Sequence, residues 1–306
     1  MVMNDPGQDK ERPVPMRFIL RKLLRVFISM VVLLLLAWGV VVLFSPNRTD
    51  YRQGQQNRDR PDEATNRAPA APGTGFQPRS FIAGERAEYT LRFAKAPIGT
   101  CVFKVAPRAS SPGAPWRFSL RLTAMGGTFA YEANATVDPS FTRTLGYQNT
   151  EVIPLRGRRT VRLVFDDANR TVRRHLNGRP QGALTNLPPI CYDPLSMIYA
   201  FREMDFNTGQ TVRWIVTDGK SQYNMSARVK RREEIRIGKQ TFRAILVEPD
   251  LGNFRGVFNR GDGSKLQIWF SDDAYTLPLR LRFKSPIGEI TADNTKYRRP
   301  APPRAP

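Results

Sequence analysis

The residues that could do chemistry are few. One histidine is present, His175. It lies in Thr171 to Leu176, which alternates as a strand does. A nucleophile–histidine–acid triad would need it as the base, yet no G-x-S-x-G elbow accompanies it and neither cysteine is near it in sequence. There is no histidine pair, no HExxH spacing, no P-loop and no G-x-G-x-x-G after a strand. Paired carboxylates could cleave a glycosidic bond. The candidates are Asp166-Asp167, Glu233-Glu234 and Asp272-Asp273. Neighbours on an extended strand point to opposite faces, so an adjacent pair cannot flank one bond. Asp166-Asp167 and Asp272-Asp273 read as turn residues that accept local backbone hydrogen bonds. No catalytic residue, metal or cofactor is expected, and the chain reads as non-enzymatic.

Charge is the stronger signal. Lys and Arg total 48 against 27 Asp and Glu, a formal net charge of +21. Such a surplus favours acidic partners. Arg156, Arg158, Arg159, Arg162, Arg170, Arg173 and Arg174 crowd one predicted hairpin, and Arg228, Lys230, Arg231, Arg232 and Arg236 another. Clusters such as Arg158, Arg159, Arg173 and Arg231 suit anionic lipid headgroups or a polyanionic cell-wall polymer. They also suit a solvated strand face. The two cysteines, Cys101 and Cys191, share no metal-ligand spacing. They fit either a disulfide on the oxidising side of a membrane or two small buried apolar side chains.

The elements that must position these groups start with a membrane span. Val26 to Phe44 is 19 residues without a charge, and a helix of that length covers ~28 Å, close to a bilayer core. Five cations (Arg12, Arg17, Arg21, Lys22, Arg25) fall in the fifteen residues before it, and three (Arg48, Arg52, Arg58) in the fifteen after. The positive-inside rule then puts residues 1–25 in the cytoplasm and the rest outside. The apolar run is too long for a signal-peptide core, and no small-x-small cleavage site follows. The expectation is a single-pass inner-membrane anchor with a periplasmic or other extracytoplasmic domain. That location argues against nucleic acid as a partner. Residues 45–79 are rich in Pro, Gly, Gln, Asn and Arg and read as a spacer. Residues 299–306 read as a tail. One domain remains, residues 80–298.

Its dominant period is two. Trp116, Phe118, Leu120, Leu122 and Ala124 alternate with polar residues, as do Tyr89, Leu91 and Phe93, then Tyr223, Met225, Ala227 and Val229, then Leu279, Leu281 and Phe283. Each pattern is a strand with one face in a core and one in water. Gly126-Gly127, Asn177-Gly178, Asp218-Gly219 and Gly261-Asp262-Gly263 mark turns. About twelve antiparallel strands fit, enough to require a strongly curved sheet or barrel. One segment breaks the period. Asp193-Pro194 followed by Leu195, Ile198, Tyr199 and Arg202 has helical spacing, with Asp193 as cap and Pro194 at the first position. It predicts one helix over 194–204. A five-residue echo, Ala96-Pro97-Ile98-Gly99-Thr100 and Ser285-Pro286-Ile287-Gly288-Glu289, suggests that the first and last strands are neighbours that close the sheet. If the concave face is open, Trp116, Phe118, Leu120, Tyr223, Met225 and Trp269 would line a site for a lipid or other hydrophobic ligand; otherwise they form a filled core.

Three segments carry a family resemblance: Gly84-Glu85 with Tyr89 and Pro97-Ile98-Gly99; Asp193-Pro194-Leu195-Ser196 with Tyr199 and Arg202; and Ile268 to Asp273 with Pro278 and Pro286-Ile287-Gly288. In that order the sequence resembles a bacterial envelope family known as domain of unknown function 3108, over residues 81 to 297. The resemblance implies an exported β-rich domain, usually behind a signal peptide. It brings no activity and no catalytic residues. The anchor and long spacer depart from its pattern. Three roles stay open: a hydrophobic-ligand module, a scaffold for cell-wall polymer or a partner protein, and an enzyme on envelope polysaccharide.

Overall fold

A computed structural model describes residues 78–109, 111, 113–250, 265–285 and 288–300. The predicted span 26–44 and almost all of the spacer lie outside the described residues. Within them, no helix is long and apolar enough to cross a membrane.

The strands are β1 (Arg86–Phe93), β2 (Ala96–Val105), β3 (Trp116–Ala124), β4 (Phe129–Val137), β5 (Thr144–Ile153), β6 (Gly157–Asp166), β7 (Thr171–Leu176) and β8 (Arg179–Leu184). Helix α1 (Ser196–Arg202) follows. Then come β9 (Thr211–Thr217), β10 (Gln222–Ile237), β11 (Gln240–Asp250), β12 (Lys265–Ser271), β13 (Pro278–Ser285) and β14 (Gly288–Arg298). They form one 14-stranded sheet in the order β8-β7-β6-β5-β4-β3-β2-β1-β14-β13-β12-β11-β10-β9. Every named pairing is antiparallel, so the chain meanders strand to neighbour. The expected twelve strands fall short of fourteen. One reason is visible in β8, whose residues are exposed for five of six positions and show no alternation.

The first and last strands do pair, Phe93 opposite Ile290 and Arg86 opposite Arg298. They meet in the middle of the sheet and do not close it. The two echoed segments therefore mark adjacent hairpins, β1–β2 and β13–β14. Gly99 has a reason to be glycine: a Cβ there would lie 2.2 Å from the Thr123 carbonyl oxygen. Neighbouring strands could not approach as they do with any side chain at that point.

The edges are β8 and β9, so the sheet is open and strongly curled. Two residues strap it together. Cys191 bridges Arg143 beside β5, and Tyr192 bridges Val216 on β9. Thr144 N donates to the Cys191 carbonyl at 3.1 Å, and Thr217 N donates to the Tyr192 carbonyl at 2.9 Å.

Helix α1 fills the concave side and is shorter than the predicted 194–204. Asp193 still caps it, accepting from Leu195 N at 2.8 Å and Ser196 N at 3.1 Å. The helix joins two aromatic clusters. Tyr199 stacks on Phe118 at 4.1 Å and meets Phe81 at 5.3 Å. Phe81 also touches Trp116 at 5.3 Å and Phe141 at 5.3 Å. Phe201 packs on Trp214 at 4.6 Å and Phe270 at 5.0 Å. Such pairs add about 0.5–1.5 kcal/mol each beyond their burial. They hold both halves of the sheet to one short helix.

Candidate functional site

The polar groups around α1 are as tightly arranged as the aromatics. Arg202 is buried and donates through Nη1 to Glu85 Oε1 at 2.6 Å. Its Nη2 reaches Glu85 Oε2 at 3.2 Å, the Ser80 carbonyl at 2.6 Å and the Tyr275 carbonyl at 3.1 Å. Tyr297 OH donates to the same Glu85 carboxylate at 3.0 Å. Thr276 Oγ1 donates to the Arg202 carbonyl at 2.6 Å. Burial opposes charge on Arg202, but Glu85 outweighs it and raises the guanidinium above its ordinary pKa. A buried fork-to-carboxylate pair with extra acceptors has its desolvation largely offset.

At the other end of α1, Asp193 is fully buried. It accepts from Thr144 Oγ1 at 2.7 Å and from the Ser196 hydroxyl, as well as from the two backbone amides. Burial raises its pKa above the usual aspartate value, against the pull of those hydrogen bonds. The turn after β12 closes the arrangement. Leu277 N donates to Ser271 Oγ at 2.8 Å, and Ser271 Oγ donates to Asp273 at 2.7 Å. An open cleft of about 400 Å³ lies here, lined by Arg79, Arg202, Phe206, Arg232, Asp272 and Asp273 among others. Its charges are engaged: Arg232 donates to Asp272 and the Phe206 carbonyl, and Arg79 pairs with Asp205.

Of the other carboxylates considered for catalysis, Glu234 is exposed with no hydrogen bond or ion pair among the described residues, and the rest are committed. Asp166 holds Asn169 in a turn, and Asp167 pairs with Arg143 at 2.5 Å. Glu233 accepts from Trp269 Nε1 at 2.7 Å and from Arg231 at 2.9 Å.

Five of the six apolar residues belong to one continuous hydrophobic core, and Tyr223 packs against it. Trp116, Phe118 and Leu120 are buried on β3, in or beside the cluster around Phe81. Tyr223 and Met225 lie on β10, and Trp269 on β12. Met225 and Trp269 are buried, and Tyr223 is partly so. Of the two alternatives, the β3 residues follow the filled core. Cys101 and Cys191 are buried free thiols. They sit in different places: Cys101 on β2 between Tyr89 and Leu122, Cys191 beside Arg143. The disulfide is absent, and the small-apolar alternative fits. Burial pushes the Cys191 thiol up to about 12 and the Cys101 thiol higher still.

Comparison with known proteins places these features. The model of a family described as "Protein of unknown function (DUF3108)" matches residues 88–295. The chain belongs to the DUF3108 family. No curated protein matches it. It is similar to a β-barrel-like DUF1849 protein from Brucella abortus at 8% identity and a TM-score of 0.46, over 72% of this chain and 98% of that one. It is also similar to a Bacteroides fragilis protein described as exported and YmcC-like in fold, at 10% identity and a TM-score of 0.34, over 72% and 99%. A Parabacteroides distasonis protein described as a lipoprotein shares 11% identity at a TM-score of 0.30, over 74% and 99%.

In this DUF3108 chain, residues from all three resembling segments meet around α1: Glu85 pairs with Arg202, Asp193 holds Ser196, and the turn organised by Ser271 and Asp273 carries Tyr275 and Thr276, which bond Arg202. The arginine clusters divide. On β6 and β7, Arg158, Arg162 and Arg173 lie on the outer, exposed face. Arg158 and Arg162 have no ion pair or hydrogen bond among the described residues, and Arg173 acts only at a distance on Asp166. Arg159 faces inward and pairs with the buried Glu151 at 3.0 Å. Arg174 is also inward, contrary to its assignment to the outer cluster. The signal for it was available: Arg174 is in phase with Val172, the apolar face of β7. Arg231 is exposed and pairs with Glu233 at 2.9 Å.

Proposed function

We propose that this DUF3108 chain is a non-enzymatic, membrane-tethered envelope module that docks an anionic cell-wall polymer through the outer face of β6 and β7. One observation carries the reading: Arg158, Arg162 and Arg173 share that face without ion pairs among the described residues. Arg158 and Arg162 are four residues apart on one strand, about 13 Å, and Arg173 pairs with Val164 on the neighbouring strand. Three guanidiniums at that spacing suit repeating anionic groups on an extended polymer. Phosphate- or carboxylate-rich glycans have this form. The tether rests on the sequence: the uncharged run 26–44, its flanking cations and the spacer that follows.

Other roles have less support. A hydrophobic ligand would need the concave face, where Phe81 and Tyr199 pack on Phe118. An enzyme would need two carboxylates free to act together; Asp166, Asp167, Glu233, Asp272 and Asp273 are engaged in turns, hydrogen bonds or ion pairs, and Glu234 alone is exposed without a partner among the described residues.

The test is equilibrium binding of fluorescent polyphosphate to the full chain in neutral detergent, over a range of salt. Log affinity should fall linearly with log salt. Arg158→Gln, Arg162→Gln and Arg173→Gln together should weaken binding at least tenfold and flatten the slope by about one unit per lost contact. Unchanged binding overturns the proposal. A C-terminal reporter that is active only outside the cytoplasm tests the tether.

A further inference from the structure

Val172 and Arg174 occupy the buried phase of β7. Arg174 is 1% exposed. Its Nε, Nη1 and Nη2 are all buried, and none has a hydrogen-bond partner among the described residues. A guanidinium carries five N–H donors and does not lose its charge in a protein. Leaving such a cation buried and unpaired is strongly destabilising.

The surroundings show why none of the described residues satisfies it. The turn between β9 and β10 lies directly over Arg174. A Cβ on Gly219, at φ +80°, would lie 2.5 Å from Leu163 Cδ2 and 3.0 Å from Arg174 Cβ. Only glycine permits that contact. The groups acting on the guanidinium are Asp218, Arg159 and Tyr223, and burial pulls its pKa below the ordinary arginine value. The nearby acid is already used. Asp218 Oδ1 accepts from Lys220 N at 2.8 Å and Ser221 N at 3.0 Å, and its Oδ2 accepts from Tyr223 OH at 3.4 Å. Arg159, the cation that acts on Arg174, holds Glu151 in its own ion pair. Beside Arg174, at a register shift in the β7–β8 pairing, His175 Nδ1 is also buried without a partner.

We propose that Arg174 anchors a buried oxyanion site, in which a ligand's carboxylate or phosphate group enters between β7 and the β9–β10 turn and takes the unmet guanidinium donors. Two oxygens on one centre match the guanidinium fork. Asp218 already acts on the guanidinium, so a singly charged group suits the site better than a dianion. The group comes either from a free small anion or from the acidic end of an apolar molecule resting against Leu163 and Val172. The site lies on the opposite face of β7 from Arg173 and does not depend on polymer docking.

The experiment is thermal unfolding of the full chain in neutral detergent, with inorganic phosphate or octanoate replacing chloride at constant ionic strength. Wild type should gain about 2–4 °C with at least one probe, as ligand binding to the folded state requires. Arg174→Met should lose that response while melting no lower than wild type. Arg174→Lys should respond more weakly, and it decides the matter if the methionine variant does not fold. The outer-face triple variant should keep the full response. A shift with phosphate alone assigns a free anion, and a shift with octanoate at lower concentration assigns an acidic amphiphile. A wild type that responds to neither probe, or Arg174 variants that respond like wild type, overturns the site. Polyphosphate binding unchanged in Arg174→Met would separate this result from the docking reading.

Discussion

On β10, Arg231 pairs with Glu233 at 2.9 Å and Arg232 with Asp272 at 3.2 Å, while Lys230 meets Glu248 at 3.5 Å. On β6 and β7, Arg158 and Arg162 meet no carboxylate, and Arg173 feels only Asp166 at a distance. Both hairpins have similar cationic content in sequence. Their difference lies in what the sheet places alongside. The β10 cations have β11 and the turn after β12 beside them, which bring Glu248 and Asp272. The β6–β7 outer face has Gln148, Val152, His175 and Ala183 across the strands. A paired cation is spent inside the molecule, and an unpaired one remains available to a partner.

The largest expected effect comes from the extreme of pairing. Arg202→Ala breaks the buried Glu85 pair and two carbonyl contacts, and should cost about 3–5 kcal/mol in denaturant unfolding of the full chain. Asp193→Ala removes a cap and two hydroxyl partners, and should cost about 1–3 kcal/mol. Asp193 also gives a pH signature. Its folded pKa is raised by burial, so the folded state holds the proton more tightly than the unfolded chain. The stability it contributes is present below the unfolded aspartate pKa and is lost as pH rises through the folded one. Asp193→Asn should remove that portion of the pH dependence, measured by unfolding across acid pH.

A smaller effect sharpens the comparison directly. Asp272→Asn unpairs both Arg232 and Arg243. Stability should change by less than about 1 kcal/mol, as for exposed ion pairs. Polyphosphate affinity should rise about twofold, because cations once used internally are released. Smallest of all is the stability cost of Arg158→Gln, Arg162→Gln and Arg173→Gln, each within about 0.5 kcal/mol.

Much of this architecture is legible in the residues. Alternation in Trp116 to Ala124 and in Tyr223 to Val229 gives strands with the right face buried. The spacing of Leu195, Ile198, Tyr199 and Arg202 gives the helix, and Asp193 its cap. What faces a buried strand surface is not local information. Nothing in Trp116 or Phe118 says that Phe81, just past the spacer, and Tyr199, some eighty residues on, fill the space between them. The free or paired state of each arginine is hidden for the same reason, because Asp272 is forty residues from Arg232. Arg174 is the exception: its phase on β7 marks it as inward.

The most direct test compares the hairpins at equal charge. Two triple variants of the full chain, Arg158→Gln/Arg162→Gln/Arg173→Gln and Lys230→Gln/Arg231→Gln/Arg232→Gln, lose the same formal charge. Their polyphosphate affinity should be measured side by side as a function of salt. The account predicts at least a tenfold loss and a flattened salt slope for the β6–β7 variant, and no more than about a threefold loss for the β10 variant. Equal losses would mean that net charge alone attracts the polymer, and would contradict the assignment of a docking face.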